Sequence, residues 1–560
     1  MLEDIKNADE RAAPASTDWI DESLSGVDAV ADRVSLRITG DDYESLRDHL
    51  IRPDKLEYAA YLLAGTNRYM DGDDEVLEYF VREVVPIRPF RYSKQAKGFV
   101  GIPHDVTREM TDDAAGDGIG DDWTVFVVHS HPWSTSPRHS ATDDRAEPEQ
   151  LATIQADRKG PHGSLIIGSD QDSVTGRVWP TDAATIRDCG AAAATPLDEI
   201  VILGKRSFSK IRPTDSRIES DDSSPDRDEM RDRQALLHDT EGNRDLGNTD
   251  VTVVGAGGLG SDVIHTLAKI GFGRDDGSIT VVDPDVVEES NRSRITGAKP
   301  IDAGDEDATP DEDSVVPARW TDEIPDLGTA KVDVMERHVT EMDPRITVET
   351  VREVGQSKAG MDAITTADIV VTAVDRQTPR RVISRACKQY LRPHIDTGVA
   401  INTDGTTSIA SRMTVSGAGR PCLDCLGAIN EDRLQAEQHG SDQEAYGVGE
   451  QPAVATVNAE AAQRASFAAH RYCTGLFDDR GGFATGIFDF ATGERYDTND
   501  RNSDCPYCGE DALFPARGER APSPVKDIER SRPAQPENSA KVQSGEKGVI
   551  ATLRSLVRTL

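Results

Sequence analysis

The sequence predicts an α/β protein with two large units: an N-terminal α/β domain over 27–211 and a C-terminal domain over 231–515 built on a mostly parallel sheet. Three observations carry this. Apolar strand-like and helical segments alternate through the first unit (VSLRITG, LEYAAYLLAG, YFVREVVPI, TVFVVHSHP, SLIIGS, EIVILG). In the second, Asp250–Arg294 runs from an apolar stretch through a glycine turn and a helical pattern to a second apolar stretch, the pattern of a βαβ unit. The length of 560 residues suits two or three domains with ample core.

In chain order, 1–26 is polar and expected to be loosely ordered. It has neither a basic n-region nor an apolar h-region, so no signal peptide is expected. No apolar run approaches the ~20 residues that span a bilayer, and the chain is read as cytoplasmic, with no membrane partner. The stretch 212–230 is charged, contains Ser and Pro, and lacks periodicity, which marks a linker. Within the second unit, 298–327 is an acidic, Pro-containing insertion, expected to be a surface loop. The segment 516–560 is a disordered tail by composition, closing on VIATLRSLVRTL, a short amphipathic helix expected to dock on its own protein.

The formal charge of −38 excludes nonspecific nucleic-acid binding as the main function. Acid is spread along the whole chain and Arg outnumbers Lys, a halophilic (haloarchaeal-like) composition. Such a chain repels itself in low salt, so folding and activity are expected to require molar salt. Full secondary structure by circular dichroism in dilute buffer would contradict this.

Val251–Val254 reads as a buried strand, and Gly255, Gly257, Gly258 and Gly260 let the backbone turn close to a phosphate. The helical pattern Ser261–Ile270 presents its N–H groups to that anion. Ser278–Val282 is a second strand, and Asp283 at its end can hold ribose hydroxyls. Alone, Gly255-x-Gly257-x-x-Gly260 fits an NAD enzyme equally well. Downstream lie Asn291, Arg294, Lys331 in GTAKVDV, and Asp375 and Arg380 in the VDxxxxR segment. With these, Arg231 to Glu510 resembles the ThiF/MoeB/HesA adenylation family, relatives of the ubiquitin-activating enzymes, and a Rossmann-like fold follows. The resemblance implies that Gly257 and Gly258 approach the phosphates of ATP and Asp283 binds the ribose. It further implies that Asn291, Arg294 and Lys331 neutralise the triphosphate, Asp375 holds Mg²⁺, and Arg233 reaches across a homodimer. Arg292 stands where the family has an apolar residue.

In the first unit, His129-x-His131-Pro132 is followed by Ser140-x-x-Asp143. Residues i and i+2 of a strand point to one side, so both imidazoles can meet one ion, with Asp143 adding an oxygen from the next helix. Two His and one Asp leave an open fourth position, as a catalytic zinc needs. Glu57 is the general-base candidate and Ser140 the oxyanion donor. Separately the pieces are bland: Ser140-x-x-Asp143 is a capping box, and His-x-His is often a surface strand. His139 and Asp144 read as solvated neighbours. Together the motif resembles the JAMM (JAB/MPN-type) metalloproteases, which remove ubiquitin-like modifiers.

Cys422-x-x-Cys425 and Cys505-x-x-Cys508 suit a closed structural zinc, and disulfides are disfavoured in the cytoplasm. Cys189, Cys387 and Cys473 read as buried small apolar residues. The loop HGSDQEAYGVGEQPAV has no thiol where thioester-forming relatives carry one, so the reaction is expected to stop at an acyl-adenylate. The sequence therefore reads as an adenylyltransferase fused to a zinc (iso)peptidase. Both act on the Gly-Gly tail of a small ubiquitin-like or sulfur-carrier protein, with ATP, Mg²⁺ and two Zn²⁺. Competing readings are a sulfur-carrier activator for thiamine or molybdopterin synthesis, an NAD-linked oxidoreductase, and a non-catalytic modifier-binding protein.

Overall fold

Strict alternation of side chains builds the first sheet. In β1 (Arg33–Thr39), Val34, Leu36 and Ile38 point to one face and Ser35 and Arg37 to the other. Then follow α1 (Gly40–Leu50), the long hairpin β2 (Ala59–Asp71) and β3 (Asp74–Pro86), the small hairpin β4 (Lys94–Ala96) and β5 (Phe99–Gly101), α2 (His104–Ala114), β6 (Thr124–Ser130), α3 (Asp143–Asp157), β7 (Gly163–Ile167), β8 (Val174–Val178), β9 (Thr195–Pro196), β10 (Glu199–Leu203) and β11 (Phe208–Ile211). Nine strands form one mixed sheet in the order β11-β10-β1-β3-β2-β6-β7-β8-β9. Thr39 caps α1, accepting from the Asp42 N–H, and Tyr43, Leu46 and Leu50 seat that helix on one face. On the opposite face, α2 and α3 cover Tyr61, Leu63, Val125 and Val127.

The second unit comprises α4 (Asp232–Gly247), β12 (Val251–Val254), α5 (Gly258–Ile270), β13 (Ile279–Val282), α6 (Glu289–Arg292), α7 (Lys331–Met342), β14 (Val348–Val351), α8 (Lys358–Thr366), β15 (Ile369–Thr372), α9 (Gln377–Gln389), β16 (His394–Asn402), β17 (Ser408–Ser416), α10 (Glu431–Gln438), α11 (Ala455–Thr474), β18 (Gly486–Asp489) and β19 (Arg495–Asp497). The sheet order is β14-β13-β12-β15-β16-β17-β18-β19, parallel from β14 to β16 and antiparallel beyond. β12, β13 and β15 are buried at every position, valine and isoleucine with one threonine in each, because helices cover both faces: α5, α7 and α11 on one, α8 and α9 on the other. This is a mixed α/β, Rossmann-like arrangement.

The computed structural model describes residues 30–114, 123–157, 160–182, 185–186, 189–204, 207–214, 216, 228–304, 328–403, 407–417, 420–439, 452–476, 486–497, 504–509 and 516. The predicted 1–26 segment, most of the linker, 305–327 of the insertion, 440–451 of the loop without a thiol, and the terminal helix lie outside them. Both the linker and the insertion have anchored ends. Asp228, within the predicted linker, accepts from Arg231 at 2.8 Å, and its side chain is buried. In the predicted surface loop, Asp302 is buried and takes two 2.7 Å bonds from Arg337 of α7. The charge of Arg337, turned inward on a helix, demands that partner.

Where the units meet, Arg37, Glu78, Phe80, Val201 and Leu203 leave the first sheet on the face not covered by α1. Phe80, Val201 and Leu203 pack on Leu391 and Ala516. Arg37 donates to Glu78 and, at 2.8 Å, to Asp368; Lys210 reaches Asp368 at 2.8 Å, and Arg392 donates to Glu78. Asp250 and Asp368 precede β12 and β15, so the first unit docks on the N-terminal edge of the second sheet. Burial alone would raise the Asp368 carboxyl, but Lys210 and Arg37 outweigh it and hold the group ionised. Removing one partner from a buried pair strands the others. Asp368→Ala is therefore expected to cost about 3 kcal/mol, measured by denaturant unfolding, in one transition shared by both units.

Candidate functional site

In the second unit, strand order reverses between β12 and β15: the chain leaves β12 toward β13 and returns on its other side as β15. The crevice beyond the C-terminal ends of such strands is where open α/β sheets bind ligands. Gly255 (φ +98°) starts the turn there, and a Cβ on Gly260 would stand 1.8 Å from the Gly255 carbonyl oxygen. The helix begins at Gly258 rather than at the predicted Ser261, since the glycines themselves form its first turn. Asp283 ties the next strand to this turn, accepting from the Ala256 N–H at 2.7 Å and the Asp285 N–H at 2.9 Å. Burial raises its carboxyl above the usual range, against the pull of Lys331.

The structure gathers most of the predicted phosphate ligands around this turn. Lys331, first residue of α7, lies 3.7 Å from Asp283 and 2.7 Å from Asp285. It is presented there because Val286 and Ala330 form a bridge, with the Lys331 N–H on the Asp285 carbonyl at 3.0 Å. Arg294 lies over the glycine turn: a Cβ on Gly258 would sit 2.9 Å from its Cγ, and its guanidinium donates to the Ser290 carbonyl at 2.7 Å. The Asn291 side chain is turned back, accepting from the Glu288 N–H at 2.9 Å in a capping box. Arg292, at the family's apolar position, pairs with Glu289 at 2.8 Å on the surface. Asp375 is exposed, three residues past the end of β15. Beneath it, Arg380 donates to the Val374 carbonyl at 2.6 Å and to buried Asp396 at 2.9 Å, with Arg412 on the other Asp396 oxygen at 2.7 Å. Arg233 is exposed on α4.

The four cysteines converge as well. All four sulfurs lie within 4.8 Å of one another. The closest cross-pairs, Cys422–Cys505 at 3.7 Å and Cys425–Cys508 at 3.5 Å, are far longer than the ~2.05 Å of a disulfide. The Cys422 N–H donates to Cys508 Sγ at 3.3 Å, as to a thiolate. This donor set fits one tetrahedral zinc. Cys387 and Cys473 are buried, with burial pushing the Cys387 thiol up to about 12. Cys189 is half-buried, not buried as predicted, since it precedes an irregular turn at the surface.

In the first unit, ligand atoms of His129, His131 and Asp143 lie within 4.8 Å of one another. His129 Nε2 is buried without a hydrogen-bond partner among the described residues, its nearest carboxylate oxygen being Asp143 Oδ1 at 3.5 Å. Burial lowers the His129 pKa to about 4, against Asp143, and also lowers that of His131, so both rings are neutral with lone pairs available. An orphaned buried nitrogen beside a carboxylate fits a divalent metal. The Ser140–Asp143 pair is a capping element too: Asp143 Oδ2 accepts from the Ser140 N–H at 2.6 Å, leaving Oδ1 toward His129. The β2–β6 register pairs Ala59 with His129, which places Glu57 opposite His131, at 3.8 Å. Burial, then the Asp143 charge, raises the Glu57 carboxyl to about 8. These groups line one cleft of about 430 Å³, with the β4–β5 hairpin forming part of its wall.

Two neighbours differ from expectation. His139 is buried, not solvated: it faces Glu147 at 3.6 Å and Ser164 at 3.3 Å, and burial lowers its pKa to about 2. Asp144 is paired with Arg177 at 2.8 Å. Glu147 gathers Ser164, Arg177 and Trp179 at 2.7, 2.9 and 3.1 Å. This polar layer lies behind the imidazoles, and sequence patterning alone does not assemble it. Its one signal was an arginine and a serine inside otherwise apolar strands.

Residues 231–309 and 323–480 match the model of the ThiF family, so the C-terminal region of the chain carries a ThiF family domain. A sulfur carrier protein adenylyltransferase of Thermus thermophilus is 28% identical over 35% of this chain and 62% of its own length. The SAMP-activating enzyme E1 of Haloferax volcanii is 28% identical over 33% of this chain and 56% of its own length. Human ubiquitin-like modifier-activating enzyme 6 is 27% identical over 30% of this chain and 14% of its own. The match thus spans less than two thirds of each of these relatives. No helix among the described residues is long and apolar enough to cross a membrane.

Proposed function

We propose that the C-terminal unit adenylates the terminal carboxylate of a small ubiquitin-like or sulfur-carrier protein, and that the N-terminal unit is a zinc (iso)peptidase acting on the same tail. The observation that carries the first part is the placement of the glycine turn, Asp283, Lys331, Arg294 and Asp375 at one strand-reversal crevice. The names of the relatives, activators of sulfur carriers and ubiquitin-like modifiers, support the choice of substrate.

In this reading ATP lies with its phosphates on the Gly257–Gly258 turn, where the N–H groups opening α5 favour an anion. Asp283 holds the ribose. The carrier's carboxylate oxygen attacks the α-phosphorus and pyrophosphate leaves. Lys331 and Arg294 take up the charge that grows on the phosphoryl oxygens, and Asp375 holds Mg²⁺. Lys331 is pre-paired with Asp285, an exposed carboxylate that a triphosphate can displace. Asn291 serves the triphosphate only if it releases the Glu288 N–H. Arg233 completes the site of a second copy in a homodimer. Cys387 and Cys473 are too buried to serve as thiolates and Cys189 belongs to the N-terminal unit, so the product in this reading is the acyl-adenylate, passed to an external nucleophile. Pyrophosphate exchange with Gly-Gly-ending carriers tests this: no exchange with any carrier would remove the reading.

For the N-terminal unit the supporting observation is the His129–His131–Asp143 cluster beside Glu57. Zinc there would supply Lewis acidity toward water and a peptide carbonyl. Glu57 Oε1 takes the proton from the attacking water and returns it to the leaving amine. A cation on the three ligands would favour the ionised carboxylate and offset the effect of burial. Ser140, at the cleft rim, donates its hydroxyl to the oxyanion. Burial, then the charge of Arg177, holds the neighbouring His139 neutral, so no second positive charge builds up beside the metal ligands.

A further inference from the structure

The helix that follows Asp375 is capped by a residue from far along the chain. Arg376, at the N-cap of α9, makes no side-chain capping bond. Instead Glu437, near the end of α10, accepts from the Gln377 N–H at 2.7 Å and from the Thr378 N–H at 2.8 Å, one on each carboxylate oxygen. Those are two of the orphan donors at the helix start. The carboxylate also meets the positive end of the α9 dipole.

The contact is one end of a continuous clamp. The fully buried Gln377 side chain accepts from the Asn430 N–H at 3.0 Å, where α10 begins. Arg381, one turn further along α9, pairs with Asp424 and Glu431. Ser384 accepts from the Leu423 N–H at 3.2 Å, and Arg385 lies 3.7 Å over the Tyr507 ring. Asp424 and Tyr507 each sit inside one of the two Cys-x-x-Cys pairs. Side chains along α9 thus bind it to the cysteine cluster, while Glu437 fixes its first two residues, which begin two positions after Asp375.

We infer that Glu437 is a positioning residue for the proposed adenylation site, an inference that rests on that reading of Asp375. By pinning the N–H groups of residues 377 and 378, Glu437 fixes the turn from which Asp375 presents its carboxylate. It thereby sets the affinity of the crevice for Mg²⁺–ATP. Without it, α9 loses a cap and the Asp375 turn can sample other directions, while the glycine turn, Lys331 and Arg294 stay in place.

The experiment is a titration of the full-length chain with Mg²⁺ at fixed ATP, read by calorimetry, for wild type, Glu437→Ala and Glu437→Gln. Circular dichroism confirms that each variant is folded. Glu437→Ala is expected to raise the Mg²⁺ midpoint about tenfold, the scale of a lost helix cap. ATP binding without Mg²⁺ should stay within about twofold. Glu437→Gln keeps one acceptor oxygen and should fall between. A folded Glu437→Ala chain with an unshifted Mg²⁺ midpoint overturns the inference and leaves the adenylation reading intact. A wild-type chain that binds no Mg²⁺–ATP overturns both.

Discussion

Asp375→Ala is expected to lower ATP–pyrophosphate exchange by about 10³-fold, the loss seen when one preorganised charge-stabilising group is removed from a transition state. Cleavage of a carrier-tail peptide by the same preparation should be unchanged. The size follows from the site's geometry. The glycine turn offers only N–H donors and Asp283 is committed to Ala256 and Asp285, so in the proposed site Asp375 is the carboxylate left to hold a metal at the β15 end of the crevice. The side chain is exposed and anchors no packing, so the loss appears in turnover rather than stability. An Asp375→Ala enzyme with near-wild-type exchange would place the metal elsewhere and undo the site.

Glu57→Gln has the complementary effect. Removing a general base costs about 10²–10⁴-fold, and cleavage is expected to fall by that factor while pyrophosphate exchange is untouched. Glutamine preserves the volume of a buried side chain, whose backbone is held by the Ala96 carbonyl at 3.3 Å and the Gln95 amide at 2.8 Å, so the cleft keeps its shape. Zinc content measured on the same sample should remain as in wild type, because Glu57 is not among the three ligands. If Glu57→Gln abolished exchange too, the two chemistries could not be assigned to separate units.

Much of this was legible in the sequence because the groups concerned sit at fixed offsets from elements with strong periodicity. Val251–Val254 has the bounds the sequence predicts, since a strand buried on both faces is nearly all apolar and its one polar residue, Thr252, bonds the Ala363 carbonyl. Asp283, Lys331 and the two imidazoles follow from the ends of such elements. Glu57 was a guess from sequence: what places it is the antiparallel register with His129, and pairing between strands some seventy residues apart leaves no local trace. The polar layer around Glu147 left only its polar strand residues as a trace, and the clamp by Glu437 joins helices about sixty residues apart, which leaves none. Arg37 and Glu78 were visible as charges in apolar strands, but their partners lie over three hundred residues away.

That last contact has a consequence for how the molecule responds to ligands. Prising the units apart would break the Arg37–Asp368, Lys210–Asp368 and Arg392–Glu78 pairs together with the packing of Phe80, Val201 and Leu203 on Leu391, so the seam opens only by losing all of these at once. Nucleotide held at the far rim of one sheet therefore steadies the other sheet as well, because anything that favours the native form of one member of a cooperative pair is shared by both. The N-terminal cleft around Glu57 and His129, with no direct contact to ATP, would become harder to melt or digest when ATP is present.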